Sequence, residues 1–486
     1  MEGRHFLDDV KAQFLSLNTR GDRIGVRDGF PRAFVDKRYT VLHKNSGRDN
    51  HFQGIERIGR YLFITGSYPY PKRRSDLLVV QLDSRAADPG PWGSNLVEDR
   101  NPPRADRVVS YFQIDADYWH PGGLDTIGAV AVVPLERFDN SSVITFIDLT
   151  NPAQPVRLTG FDIPRPNSKA GALAITALSD GRPLLAVWCD SDKGPDGAPL
   201  PYHLDLYLGR GPSVTSGFSM LARFQPPTND GFHHAYQCLD FVWEKGAAGA
   251  AEALYLIGFE NTSETQPTPK PLDQGRNVAR LYEVDLSVLP LAAPPANPVQ
   301  VNGLLIPRGE REFETSGDWC NMDAGACAYV DSNQQLILYS IYHFLAKPGG
   351  GGSTPILKCL EFRATDFAPV ALIEDGWVEL YEQPRLGGRR LSILGPWNAS
   401  IADTRRAYVD DKRFETARSI RYQLPAGNSF VLYPGKNFQE SPALVLPGAG
   451  VVREVEVAQT RFRGKLGSCR LQLSSVAETI PGAVVA

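Results

Sequence analysis

The sequence predicts an all-β chain with two unequal regions, and three observations indicate this. Short apolar segments alternate with polar, glycine-rich or proline-rich turns along most of the chain. The 486 residues include 45 glycines and 38 prolines, more than the roughly 12% that these types average together, as expected when many turns connect short strands. Polar segments recur ahead of small-residue strands in the first 370 residues, and a different pattern begins near residue 375.

Composition limits the class of protein. A chain of 486 residues is too long for one ordinary core, which predicts two domains or one large repeat fold. A hydrophobic content of 42% with 22% charged residues is typical of a folded chain. The net charge of −4 gives no reason to expect a nucleic acid or a membrane as partner. Six cysteines without a Cys-x-x-Cys pair are expected to be buried thiols.

The N-terminal residues predict a helical lead-in over residues 1–37. Phe6, Leu7, Val10, Phe14 and Leu17 have helical spacing and predict one short amphipathic helix. The first residues lack the apolar stretch of a signal peptide, so a cytoplasmic protein is the default expectation, and a secreted protein whose leader was removed stays open. No apolar run approaches the roughly 18 residues of a membrane-spanning helix.

Short β-strands are predicted from about residue 38 to residue 370. They are Tyr61–Gly66, Leu77–Leu82, Val108–Ile114, Thr126–Val133, Ser142–Leu149, Ala172–Leu178, Pro183–Trp188, Leu204–Leu208, Leu254–Phe259, Ala279–Val284, Ala326–Val330, Leu336–Tyr342 and Ile356–Arg363. Hardly any helical pattern interrupts them, a rhythm that indicates a sandwich, a barrel or a propeller.

The order of motifs favours a β-propeller over residues 38–370. Five polar segments each precede a strand rich in small residues, which suits the innermost strand of a blade because these strands crowd around one axis. The segments are Asn50–Gly54, Trp119–Gly123, Ser168–Gly171, His233–Gln237 and Trp319–Asp323. They predict five blades, with six as the alternative. The spare strand Arg38–Lys44 is expected to complete the last blade and close the ring.

The segment Trp377–Ser392 carries an aromatic, a glycine and a serine, Tyr381, Gly388 and Ser392. This pattern resembles the Greek-key signature of the βγ-crystallin family, in which an aromatic opens a folded hairpin, a glycine permits its turn and a serine ties it down. A second copy begins at Phe430, with Glu440 where the glycine is expected. The resemblance implies a Greek-key domain over residues 375–475, followed by a tail over 476–486.

Calcium binding by this second domain is not expected. Many microbial members of the family bind Ca²⁺ through a stretch of oxygen-donor residues. The corresponding segments of this chain are Glu415–Ser419 and Arg463–Ser468, in which arginine and glycine replace the donors. The resemblance therefore implies a structural module that does not depend on calcium.

One face of the propeller is expected to carry the functional site. Strands within a blade alternate in direction, so loops that lead into innermost strands share a face with loops that leave second strands, and five of the eight histidines fall there. The candidate catalytic residues are His51, His120, His234, Asp190, Glu260 and Asp318. The candidate ligand-binding residues are Asn50, Gln53, Tyr68, Tyr70, Arg137, Lys169, His233, Trp319, Asn321, Tyr342 and His343.

The histidines admit two kinds of chemistry. An imidazole near its ordinary pKa can take or give a proton at neutral pH. Neutral imidazoles that converge on the axis could instead bind a divalent transition metal, with His51, His120 and His234 as ligands. No phosphate-binding loop or dinucleotide fingerprint occurs, so no nucleotide cofactor is expected.

Two functions follow from these residues. The first is an enzyme with one off-symmetry site that acts on a small polar molecule or a carbohydrate, as a lyase, cyclase or hydrolase. The alternative is a non-catalytic ligand-binding protein, either lectin-like or a scaffold for protein interactions. The strong divergence of the blades favours one distinct site over a repeated pocket, and hence the enzyme.

Overall fold

The computed structural model of the chain describes two sets of residues. In the N-terminal region these are 5–26, 30, 51–68, 73–82, 106–137, 139–189, 202–226, 236–246, 252–261, 276–292, 294–314, 321–331, 334–345 and 356–364. In the C-terminal region they are 377–385, 387–394, 400–401, 408–409, 412–413, 417–424, 426, 428–433, 444–449, 453–457, 468–473 and 484–485.

The N-terminal region is an all-β propeller of five sheets, and the strands of each sheet are named from the innermost outward. Blade 1 consists of His51–Ile58, Tyr61–Tyr68, Arg74–Gln81 and Arg107–Asp115. Blade 2 consists of His120–Pro121, Asp125–Ile127, Val130–Glu136, Ser142–Asp148, Val156–Arg157 and Ile163–Arg165. Blade 3 consists of Ala172–Ala177, Pro183–Cys189, His203–Gly209, Phe218–Phe224 and Val299–Val301.

Blades 4 and 5 each take a strand from the N-terminus of the chain. Blade 4 consists of Cys238–Glu244, Ala253–Asn261, Asn277–Val284 and Leu305–Phe313, with Phe6–Leu7 parallel to its innermost strand. Blade 5 consists of Ala326–Val330, Leu336–Ile341, Leu357–Arg363 and, outermost, Asp22–Val26. Among the described residues the helices are Val10–Ser16 and the short 3₁₀ turns Val214–Ser216 and Leu286–Val288.

The ring closes because each innermost strand contacts the innermost strand of the blade on either side, including blade 5 against blade 1. Five apolar clusters lie between successive blades, and each combines residues of two neighbours. Leu77 of blade 1, for example, shares a cluster with Ala131 of blade 2. The five-blade prediction is therefore confirmed for the part of the chain that the structure describes.

The expected closing strand is corrected. Asp22–Val26 pairs with Leu357–Arg363 and occupies the outer edge of blade 5, where Arg38–Lys44 was predicted. Residues 38–44 lie outside the described residues. The N-terminal segment is thus part of the propeller and not only a lead-in. Its role is decided by pairing with a distant strand, and local sequence patterns do not reveal such pairing.

Two further local predictions differ from the structure. The single helix predicted over Phe6–Leu17 is a two-residue strand followed by the helix Val10–Ser16, which Asp9 caps by accepting the N–H of Ala12 at 2.7 Å. The strand predicted over Thr126–Val133 is interrupted by a tight turn at Gly128, whose φ of 59° lies in the left-handed region that favours glycine.

Glycines at the axis allow the innermost strands to approach each other. A Cβ at Gly122 would lie 2.2 Å from the Gly171 oxygen, and one at Gly123 would lie 2.1 Å from the Gln237 oxygen. These positions belong to blades 2, 3 and 4, so any side chain there would force neighbouring blades apart.

The C-terminal region consists of two sheets that exchange strands. The first has the order Gly387–Leu394, Trp377–Gln383, Ser419–Gln423, Arg453–Glu456. The second has the order Ser400–Ile401, Ser468–Leu473, Asn428–Tyr433, Leu444–Pro447, Val484–Val485. Tyr408–Val409 pairs separately with Lys412–Arg413. Each half of the region therefore gives one strand to the sheet of the other, and part of the expected tail joins the second sheet.

The hairpin between the first two strands has a described serine contact at Ser419, while the side chain of Ser392, the serine that the resemblance assigns to this role, is not described. Ser419 Oγ donates a hydrogen bond to the Gln383 oxygen at 2.6 Å from the neighbouring strand. Ser392 lies in the second strand, where its backbone pairs with Glu379. Glu440 lies outside the described residues, as do residues 463–467 of the second calcium-type segment.

Candidate functional site

Three histidines from three blades come together at one end of the propeller. The ring of His51 lies 5.8 Å from the ring of His120 and 5.8 Å from the ring of His343, centroid to centroid. His51 begins the innermost strand of blade 1, His120 begins the inner segment of blade 2, and His343 follows the second strand of blade 5. These residues are called the histidine cluster below.

Antiparallel pairing explains why these positions share a face. His51 pairs with Ser67 near the end of the second strand of blade 1, and His120 pairs with Glu136 at the end of the corresponding strand of blade 2. The Phe52 N–H donates to the His343 oxygen at 2.9 Å and joins blade 5 to blade 1 at this level. The cluster therefore combines residues of the three consecutive blades 5, 1 and 2 and lies to one side of the fivefold arrangement.

His120 is oriented by a buried carboxylate. Its Nδ1 lies 3.4 Å from Glu136 Oε2, and its side chain is 30% exposed while that of Glu136 is 10% exposed. Lys169 Nζ lies 3.4 Å from the same oxygen, and the Ala170 N–H donates to Glu136 Oε1 at 2.8 Å. Burial favours the neutral acid, but the hydrogen bond and charge of His120, the Lys169 ammonium and the Ala170 N–H together hold the pKa of Glu136 below its ordinary value.

The contacts of His120 are consistent with one tautomer. If the Nδ1–H of His120 donates to Glu136, the Nε2 of His120 is an acceptor. The side-chain amide nitrogen of Gln53 lies 3.3 Å from that Nε2 and is its donor. Gln53 belongs to the innermost strand of blade 1, so the amide links two blades of the site. The Trp119 ring packs edge-on against His120 at 5.2 Å and further fixes its plane.

His343 lies beside a second carboxylate. Its Nε2 is 3.3 Å from Asp323 Oδ2, and both side chains are almost fully buried. The Asp323 N–H donates to Asn321 Oδ1 at 3.0 Å, which sets the turn that carries the carboxylate. The Asn321 N–H in turn donates to the Ile341 oxygen at 3.0 Å and anchors that turn to the second strand of blade 5.

The structure brings together five of the predicted site residues. These are His51, Gln53, His120, Lys169 and His343. Asn321 positions Asp323, and Tyr342 packs against Phe344 at 6.0 Å. Arg137 pairs with Asp139 at 2.5 Å and covers the Tyr118 ring, so it serves the loop that carries it. Glu260 is buried and pairs with Arg280 at 2.5 Å within blade 4, which gives this candidate catalytic residue a structural role in the described contacts.

The remaining predicted residues lie beyond what the structure describes. Asn50, Tyr70, Asp190, His233, His234, Asp318 and Trp319 are outside the described residues. Tyr68 ends the second strand of blade 1, and its side chain is not described. The prediction that His234 completes the site therefore stays a prediction, and His343 is the third imidazole among the described residues.

Two carboxylates of the site were given no catalytic role by the sequence. Glu136 lies on the predicted face but has the pattern of a solvated strand end. Asp323 falls in the polar segment ahead of the last innermost strand, and the segment itself was the available signal. Neither pairing with a histidine is visible locally, because His120 and Glu136 are separated by a turn and a strand, and Asp323 and His343 by two strands.

A second group of polar side chains lies where blade 3 meets Arg165 of blade 2, and two arginines close it. Asp205 contacts Arg165 Nη2 at 2.9 Å and Arg223 Nε at 2.6 Å, and His203 Nε2 lies 3.8 Å from it. Arg165 Nη2 also donates to Cys189 Sγ at 2.8 Å. We call these five residues the blade 3 cluster. Burial opposes ionisation of Asp205, but the hydrogen bond from Arg223, the charges of Arg165 and His203 and that of Arg223 hold its pKa below the ordinary value.

No family model matches the chain, and no curated protein matches it. One similar solved structure is a family 43 endo-arabinanase from Bacillus licheniformis, 12% identical, covering 66% of this chain and 96% of its own, with a TM-score of 0.32. Another is a glycoside hydrolase of family 32 from Bifidobacterium adolescentis, which is 10% identical. That match covers 87% of this chain and 78% of the hydrolase, with a TM-score of 0.35. Likeness at these scores carries no argument, so the propeller assignment rests on the strand pairings of this chain.

The histidine cluster is suited to proton transfer. His120 is held in a defined orientation by an ionised carboxylate, His343 faces a second carboxylate, and His51 lies between them. Imidazoles fixed in this way can accept a proton from one side of a bound molecule and donate one to the other.

None of the described helices is long and apolar enough to span a membrane.

Proposed function

We propose that the protein is an enzyme that acts on a small polar molecule or a carbohydrate by acid–base catalysis at the histidine cluster. The observation that carries the proposal is the placement of two imidazole–carboxylate pairs, His120 with Glu136 and His343 with Asp323, on either side of His51. A structural role for one such pair is common, but two pairs from different blades that flank a third imidazole favour a site.

The roles follow from exposure and contacts. His120 is part-exposed and oriented through Nδ1, so Nε2 is the nitrogen that exchanges a proton with the substrate once Gln53 gives way to it. His51, between the other two rings, is the partner acid or base. Glu136 is a positioning residue that favours the imidazolium of His120 when a proton has been taken.

Proton abstraction followed by elimination is the reaction class that these residues suit best. A lyase needs one base for the carbon-bound proton and one acid for the leaving oxygen, and two imidazoles provide both. A glycosidase instead uses two carboxylates that face the scissile bond. Glu136 is engaged by Lys169 and by the Ala170 N–H, and the described carboxylates of the site face imidazoles. Lyase chemistry is therefore proposed ahead of hydrolysis.

For residues 375–475 we propose a structural βγ-crystallin-like Greek-key module that does not depend on calcium. The exchange of one strand between the two sheets and the tie of Ser419 to the first hairpin support it. Separate expression of a fragment that begins near Ala371 tests the division. A folded fragment is expected, and an unfolded one would contradict an independent module.

The enzyme proposal is tested by incubation of the protein with tetragalacturonic acid, whose carboxylate makes the neighbouring carbon-bound proton acidic, and with xylotetraose and cellotetraose, which lack that group and can report hydrolysis only. Ultraviolet absorbance of an unsaturated sugar reports elimination, and new reducing ends without that absorbance report hydrolysis. The matched variants are His51→Ala, His120→Ala and, as a control, Arg210→Ala at an exposed position of blade 3.

We expect turnover that both histidine variants abolish and the control retains. Binding without turnover, lost in the histidine variants, would replace the enzyme with the ligand-binding alternative. Turnover that survives in both histidine variants would contradict the site itself.

A further inference from the structure

Three carboxylates from three blades meet on the propeller axis. Glu56, Asp125 and Asp240 lie on the innermost strands of blades 1, 2 and 4, and their exposures are 3%, 7% and 3%. One ligand atom from each lies within 4.8 Å of those of the other two. We call these residues the carboxylate triad, which is separate from the histidine cluster and has no role in the proposed reaction.

Strand periodicity places the triad beneath the crowded glycines of the axis. Gly54 and Glu56 are two residues apart in one strand, so the two positions lie on the same side of it, and Gly123 stands two residues before Asp125, which begins its strand. Because the glycines bring the blades into backbone contact, the carboxylates that follow them are held close together. The proximity is thus imposed by the fold of the axis and not by a flexible loop.

Main-chain donors surround the triad. Both oxygens of Asp125 accept N–H groups, and Asp240 and Glu56 each accept one. The donors are Thr126 at 2.5 Å and Ile175 at 2.6 Å for Asp125, Ala328 at 2.8 Å for Asp240 and Arg57 at 2.8 Å for Glu56. Hydrogen bonds of this kind favour ionised carboxylates over protonated ones.

A separate observation points to a missing partner. Glu56 Oε2 is buried and no described N–H or hydroxyl group donates to it; the side chain beside Glu56 is the Asp240 carboxyl group, and two such groups bond to each other only through a proton or a cation between their oxygens. The described ion pairs bring no lysine or arginine to the triad. Cys238 and Cys327, which lie on the innermost strands of blades 4 and 5, supply no positive charge, because a thiol is either neutral or anionic.

The electrostatic cost of three such groups is large without a counter-charge. Three carboxylates whose ligand atoms lie within 4.8 Å of one another repel each other when ionised, and their burial leaves little water to screen the charges. A bound cation would remove this cost and accept Glu56 Oε2 as a ligand.

We propose that the carboxylate triad binds one Ca²⁺ ion, which joins blades 1, 2 and 4 at the axis. The ligand atoms of the triad all lie within 4.8 Å of one another, close enough for one ion at about 2.4 Å from each oxygen to bind all three. Calcium accepts carboxylates in variable, mono- or bidentate geometry. Mg²⁺ instead retains several waters and usually takes one or two carboxylates. The set of oxygens alone does not favour the softer transition metals.

The test uses the full chain, unfolded in denaturant with chelator and refolded without metal, because the ion is enclosed by the axis. Melting temperature is then measured at pH 8 with added CaCl₂ or MgCl₂, and metal content is measured on the untreated protein. The variants are Asp125→Asn and Glu56→Gln, and Asp117→Asn, at an exposed position of blade 2, is the matched control.

We expect about one Ca²⁺ per chain and a rise in melting temperature of roughly 5 °C at a hundredfold excess of Ca²⁺ over its dissociation constant, larger than with Mg²⁺. The rise should be absent in Asp125→Asn and Glu56→Gln and retained in Asp117→Asn. A calcium response that survives in both triad variants would place the ion elsewhere in the chain. If the untreated protein contains no metal and does not respond to calcium, and if Asp125→Asn stabilises it, then the triad shares protons. Either result would overturn the proposal.

Discussion

His120 and His203 both lie beside a carboxylate, yet their surroundings differ. His203 and Asp205 are almost fully buried, and Arg165 and Arg223 neutralise the carboxylate. His120 is 30% exposed, and the carboxylate beside it is balanced by the imidazole and one lysine. The difference between the two pairs is that the imidazole of His120 can reach a ligand while that of His203 cannot, and that the carboxylate beside His120 has one cationic side chain where Asp205 has two arginines.

The largest effect is expected from His51→Ala and His120→Ala. Each should reduce turnover by about 10²–10⁴-fold, because proton transfer is lost while little apolar area is buried at these positions. The measurement is kcat on whichever of the three oligosaccharides is turned over, together with the urea midpoint. If these variants lose stability and keep their turnover, the histidine cluster has a structural role like that of the blade 3 cluster.

Asp205→Asn should produce the opposite pattern. It leaves Arg165 buried without its partner and should cost about 3–5 kcal/mol of unfolding free energy, with kcat unchanged in the folded protein. Urea denaturation gives the first quantity. A folded variant of wild-type stability would contradict the structural role of this cluster.

The acid dependence of stability sharpens the same contrast. The pKa of Asp205 is lowered in the folded state, so its contribution is full above the ordinary value of about 3.9 and is lost as the pH falls through the lowered pKa. The difference in unfolding free energy between wild type and Asp205→Asn should therefore shrink between neutral pH and about pH 3. A difference that stays constant with pH would show that packing and not charge explains it.

Glu136→Gln should have a smaller effect than removal of His120. The glutamine keeps the shape but not the charge, and loss of one charged hydrogen bond is expected to lower kcat by about tenfold to a hundredfold with little change in KM. Glu136→Asp should recover part of the loss. A loss of unfolding free energy large enough to explain the whole loss of kcat would instead indicate a purely structural residue.

The smallest effect is expected in the C-terminal region. Ser419→Ala removes one hydrogen bond to the first hairpin and should cost about 1 kcal/mol of that region's stability. Ser392→Ala is the comparison, because the sequence resemblance assigns the tie to Ser392. A larger loss from Ser392→Ala than from Ser419→Ala would favour Ser392 as the tie.

Positions set by strand alternation could be predicted from the sequence. The starts of innermost strands and the ends of second strands share a face in any such ring, which places His51, His120 and His343 together. Partners set by distant pairing could not be predicted. Asp22–Val26 has no local feature of a closing strand, and Glu136 resembles any exposed strand end. The triad had a usable signal, an acidic residue two positions after an axial glycine or cysteine in a small-residue strand.

The central claim is that ligand binds at the histidine cluster and not at the blade 3 cluster. Protein labelled with ¹⁵N in its histidine side chains, titrated with xylotetraose, cellotetraose and tetragalacturonic acid, tests it directly once single His→Asn variants have assigned the signals. One of these oligosaccharides is predicted to shift the imidazole signals of His51, His120 and His343 together and to leave His203 unchanged. Binding that shifts His203, or that leaves all three cluster signals unchanged, would contradict the account.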